Sequence, residues 1–147
     1  MENKKLDGTE LPEQILRSRN LRYRVKEGFD EREKLSYTYF EVVNGDRRLG
    51  VDVAGEYTIF LAGWHAHYGI DDGDSAEEFR RDLESILDNS LCAACSYSGE
   101  ADGGAAGAAC GCYEHQLNAE FLKDMLGPGK TVKCRFFDEK LDREFRT

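Results

Sequence analysis

The chain has 147 residues, 40% hydrophobic and 11% aromatic, which suits one globular core and excludes a disordered or collagen-like polymer. Its 20 Lys and Arg against 29 Asp and Glu give a net charge of −9, which excludes the basic footprint that nucleic acid requires and favours a basic partner. No apolar run approaches the ~20 residues needed to span a bilayer, and no apolar stretch follows the opening lysines as in a secretory signal; a cytoplasmic chain forming one domain over 1–147 is expected.

Pro12, with Ile15 and Leu16 behind it, marks a short N-terminal helix to about Asn20. Leu21, Tyr23 and Val25 then alternate with Arg22, Arg24 and Lys26, as in a half-buried strand, although a helix running on through Lys26 fits too. The stretch 35–43 is rich in Tyr, Phe, Thr and Val, and Asn44-Gly45 follows as a hairpin turn that needs positive φ. Residues 47–53 return with Leu49, Val51 and Val53 on one face. After a second turn at 54–56, the almost wholly apolar stretch 57–64 reads as one central strand. The acidic loop 71–75 opens a helix over 75–88, with Asp74/Glu77 or Ser75/Glu78 as a capping box and Phe79, Leu83, Ile86 and Leu87 as its apolar stripe. Strands are expected at 91–98, 110–115 and 131–137, with 99–109 as a Gly-rich hairpin loop. Between the last two, a short helix capped by Asn118 should turn Phe121, Leu122 and Met125 inward. Such an order, without βαβ rhythm, predicts an α+β fold: a mainly antiparallel sheet with two or three helices packed on it.

Two constellations invite chemical readings. His65 and His67 lie two apart in a strand and so share a face, which would suit a metal if Asp71, Asp72 or Asp74, or His115, supplied a further ligand. A metal-dependent hydrolase built on this pair and a nearby Asp is one alternative for the chain. A structural zinc on Cys92, Cys95, Cys110 and Cys112 is another, because CxxC and CxC offer four thiolates. A regular strand over 91–98 opposes it, turning Cys92 and Cys95 to opposite faces. Neither a nucleophile elbow nor a phosphate-binding glycine loop is present, and no cofactor is expected.

Charge patterning points elsewhere. Residues 71–104 hold ten acids and two bases, a net of −8, whereas 121–147 carry a net of +2. Asp71, Asp72, Asp74, Glu77 and Glu78 form the candidate partner-binding set, with Trp64 and Tyr68 as aromatic anchors beside them. The run over 57–87, an apolar strand leading through WHAHY and an acidic loop into AEEFRRDLESIL, resembles a pattern in small bacterial immunity proteins of polymorphic toxin systems. The resemblance covers about a fifth of the chain. It implies a small, acidic, single-domain α+β protein that neutralises a cognate toxin by binding it, and it carries no functional residue across by motif. The expected function is therefore a non-catalytic protein-binding module with a basic toxin domain as partner, in an oligomeric state that the sequence leaves open.

Overall fold

The computed structural model describes residues 8–98 and 106–147. Helix α1 (Glu10–Ser18) leads into a five-stranded antiparallel meander: β1 (Arg24–Asp30), β2 (Leu35–Asn44), β3 (Arg47–Val53), β4 (Glu56–Leu61) and β5 (Trp64–Gly69). Helix α2 (Gly73–Leu87) follows, then β6 (Leu91–Ser98), β7 (Ala106–Tyr113), α3 (Ala119–Leu126), β8 (Lys130–Arg135) and β9 (Arg143–Arg146). These last four strands form a second antiparallel sheet in the order β7-β6-β8-β9. The fold is α+β, with all paired strands antiparallel. No helix among the described residues is long and apolar enough to cross a membrane.

Alternation decides which face of each strand is buried. Phe40 and Val42 of β2, Leu49, Val51 and Val53 of β3, Tyr57, Ile59 and Leu61 of β4 and Tyr68 of β5 point to one side of the meander. There they meet Ile15 and Leu16 of α1 and the α2 stripe Phe79, Leu83, Ile86 and Leu87. Strand β6 belongs to two cores at once. Leu91 and Ala93 join this first cluster, while Cys92 and Ala94 face the second, with Leu122 and Leu126 of α3, Val132, Cys134 and Phe136. The two sheets are locked by Arg47, which donates to the Phe136 carbonyl (2.6 Å) and to both carboxylate oxygens of Asp142 (3.1 and 2.7 Å).

Several boundaries differ from those the sequence suggests, each for a physical reason. The stretch 57–64 is not one strand: Ala62 (φ 47°) and Gly63 (φ 90°) make a two-residue turn, and WHAHYG runs back as β5. The strands fall into two sheets, since α2 packs against both β5 and β6 and carries the chain away from the β5 edge. Helix α2 is capped by Asp72, whose side chain accepts from the Asp74 amide (3.0 Å) and the Ser75 hydroxyl (3.1 Å), ahead of the expected box. In α3 the Asn118 cap forms as expected, accepting from the Phe121 amide at 2.8 Å, but Leu126 is buried where Met125 was expected, and Met125 is exposed. Residues 106–109 of the Gly-rich stretch extend β7, and 99–105 lie outside the described residues.

Candidate functional site

Among the described residues no helix packs on the outer face of the five-stranded sheet. Tyr37 and Tyr39 of β2, Phe60 of β4 and His65 and His67 of β5 stand on this face, with Leu35 and Phe60 exposed. Two glycines make room for the tyrosines. A Cβ on Gly28 would lie 2.5 Å from the Tyr37 hydroxyl, and one on Gly50 would lie 2.1 Å from that of Tyr39, so each ring lies across a bare backbone. The rings continue along the sheet from Tyr39 to Phe60 (centroids 6.5 Å), to His65 (5.9 Å) and to His67 (5.1 Å).

In an antiparallel meander, alternate turns fall at the same end. The β1–β2 turn, the β3–β4 turn and the β5–α2 loop therefore share one end of the sheet. All three are acidic: Asp30, Glu31 and Glu33 in the first, Glu56 at the second, and Asp71, Asp72 and Asp74 in the third, against Arg32 and Lys34. Asp52, near the end of β3, adds a carboxylate to the outer face at this end. The loop predicted as the binding region is thus one third of a larger acidic rim. The other end of the same face holds Arg24, Lys26 and Arg48, so the face is polarised along its strands.

Between the first two turns the face sinks into a hollow of about 480 Å³, lined by Asp30, Glu33, Leu35, Tyr37, Asp52, Ala54, Glu56, Thr58, Phe60 and His67. Its carboxylates differ in what they already bind. Asp30 accepts from the Arg32 and Glu33 amides (2.9 and 3.1 Å) and so holds its own turn. Glu56 meets His67 Nδ1 at 2.9 Å, and His67 also bonds Thr58 Oγ1 at 3.0 Å. Asp52 makes no hydrogen bond or ion pair among the described residues, and burial, followed by the charge of Glu56, pushes its carboxyl above the usual range.

The seven residues predicted for partner binding divide between surface and core. Asp71, Asp72, Asp74, Glu77 and Glu78 are exposed, with Asp72 committed to the helix cap and Glu77 paired with Arg80. Asp71 and Asp74 have no ion pair among the described residues, so none of these neutralises their charge. Tyr68 lies inside the protein at 8% exposure, so here it offers no anchoring surface. Its hydroxyl donates to Asp82 Oδ2 at 2.7 Å, and Tyr113 donates to the other oxygen at the same distance. Trp64 is half-buried against the first core, its ring pressed on Gly111, where a Cβ would sit 2.7 Å from it. Both follow from the alternation that puts His65 and His67 outside: their neighbours at 64, 66 and 68 must face in.

His65 and His67 do share a face, as expected, but the nearest acid is Glu56 from the neighbouring strand, and the described residues bring no group of three or more His, Cys, Asp or Glu together for a metal. The cysteines also separate. Cys92 and Cys112 pair across β6 and β7 on the α3 side with Cys134 nearby, while Cys95 faces the first sheet and approaches the Ala62 carbonyl at 3.4 Å. Burial pushes Cys112 up to about 12 and also raises Cys95 and Cys110, and Cys92, hydrogen-bonded to Cys134, is raised as well. Thiols held protonated in this way are poor nucleophiles. The chain matches no family model, no curated protein and no solved structure, so the acidic rim and its hollow stand on their own geometry.

Proposed function

We propose that the chain is a non-catalytic protein-binding module that captures a basic protein through the acidic end of its five-stranded sheet. The observation that carries this reading is the convergence of three acidic turns at one end of an uncovered sheet face. Carboxylates with no counter-charge among the described residues, such as Asp71, Asp74 and Asp52, produce a field that speeds capture of a cationic surface. The adjoining aromatic face then supplies apolar area of the kind that dominates interface energy. The resemblance of 57–87 to immunity proteins makes a toxin encoded beside this chain the partner of choice. Neutralisation would take place in the cytoplasm, where the five cysteines, none of them in a disulfide, suit a reducing medium.

Co-expression with the product of the adjacent gene tests this. The expected result is a complex that co-elutes in gel filtration, together with rescue of growth if that product is toxic. If neither complex nor rescue is obtained, the capture reading fails.

A further inference from the structure

The acidic rim explains attraction at a distance but not the shape of the hollow beneath it. A charged surface for steering needs no cavity, no aromatic wall and no half-buried acid. The hollow has all three. Tyr37 lies across Gly28 on one side, and Phe60 stands on the other, 41% exposed. The floor is polar and already satisfied: Thr58 is 5% exposed and bonded to His67. Among the described residues two acids of the hollow have no partner: Glu33, exposed on the first turn, and Asp52, which is half-buried beside a further carboxylate, Glu56.

From this we infer that the hollow is the seat of one arginine side chain of the basic partner, its guanidinium meeting Asp52 between Tyr37 and Phe60. This rests on the capture reading above and names the chemistry its site selects. A guanidinium fits better than an ammonium because it is planar, weakly hydrated and able to lie on an aromatic face while donating to a carboxylate. Its arrival supplies Asp52 with hydrogen bonds that no described residue makes to it and offsets the repulsion from Glu56. The occupant is not a second copy. Although Arg24, Lys26 and Arg48 on the far end of the face would complement the acidic end of a neighbour, two chains of net charge −9 repel one another.

The test is an amide NMR titration of the full chain at low salt with N-acetyl-arginine methylamide, alongside the matching citrulline and lysine compounds. The arginine compound should produce saturable shifts at Tyr37, Asp52, Thr58, Phe60 and His67. The citrulline compound, which keeps the shape and loses the charge, should not. Asp52→Asn should weaken the arginine compound about tenfold, the loss of one charge-assisted contact, while its dispersed spectrum shows the fold intact. Equal responses to arginine and citrulline, or equal responses to arginine and lysine, would overturn the proposal. So would a dimer in sedimentation that is abolished by Arg24→Glu. A hollow that stays silent while the co-expressed complex still forms removes the arginine seat and leaves the capture reading standing. Absence of any complex with the adjacent gene product removes the capture reading, whatever the titration shows.

Discussion

Replacing Phe79 with Ala is expected to remove about 3–5 kcal/mol of stability, a large share of the ~5–15 kcal/mol typical of a folded domain. Phe79 is 0% exposed and sits at the centre of the first core. Its ring stacks on Tyr57 with centroids 4.1 Å apart and planes 8° from parallel, and meets Tyr68 edge-on at 5.6 Å. Truncation leaves a cavity between α2 and the sheet and removes two aromatic pairs, each contributing about 0.5–1.5 kcal/mol beyond area burial. Urea unfolding measures the effect as a lowered midpoint. A loss below about 1 kcal/mol would mean that α2 does not pack on the meander as described.

Asp82→Ala should be nearly as damaging, for a polar reason. Asp82 projects from α2 and accepts from Tyr68 of β5 and Tyr113 of β7, so one carboxylate joins a helix to strands of both sheets. Charge-assisted bonds of this kind contribute about 1.5–3 kcal/mol each, and truncation also leaves the Tyr68 hydroxyl buried without an acceptor. A loss near 3 kcal/mol is expected, which lowers Tm by about 10 °C for a chain of this size. The same cluster sets an alkaline limit. Burial, reinforced by hydrogen bonding to Asp82, raises both tyrosines above the ordinary value of 10.0. A phenol whose proton is held more tightly in the folded state contributes its full stability below that value. The contribution is lost as pH rises above it, because the unfolded chain ionises first. These tyrosines should therefore give stability no pH dependence near neutrality and make it fall above about pH 10, with a shallower fall in Tyr68→Phe. An unchanged alkaline slope in that variant would contradict the assignment.

How far the sequence discloses this molecule depends on the range of the forces involved. Local chemistry is legible. A hairpin forms where Asn44-Gly45 predicts one, but one residue later: its loop is Gly45-Asp46, with Gly45 at φ 64° and Asn44 paired with Arg47 in the ladder; the α2 stripe lies at the positions its periodicity gives; Asn118 caps α3. The Ala62-Gly63 turn is not, because two small apolar residues inside YTIFLAGW look like the interior of a buried strand. The division into two sheets is a long-range outcome that no local pattern states. The acidic rim is half legible. Counting along the chain exposes the loop at 71–74, but 24–34 holds four acids and four bases and so looks neutral. Folding separates part of that set, with Arg24 and Lys26 toward one end of β1 and Asp30, Glu31 and Glu33 at the other, where Arg32 and Lys34 stand among them. A reading by strand position rather than by running total would have found the second part of the rim. Trp64 and Tyr68 were separable from the histidines by alternation alone, which already assigns them to the inner face.

The central claim is capture of a basic protein by the acidic end. It is tested most directly by the association rate constant with the co-expressed partner, measured for the natural chain and for Asp71→Lys/Asp74→Lys/Glu78→Lys, which leaves the Asp72 cap of α2 in place. At an ionic strength of about 0.01 M the Debye length is about 30 Å, and charge reversal should slow association at least about tenfold. By about 1 M salt, where screening shortens that length to about 3 Å, the two rates should converge while dissociation stays within about twofold throughout. Equal association rates for the two proteins at low salt would contradict the claim.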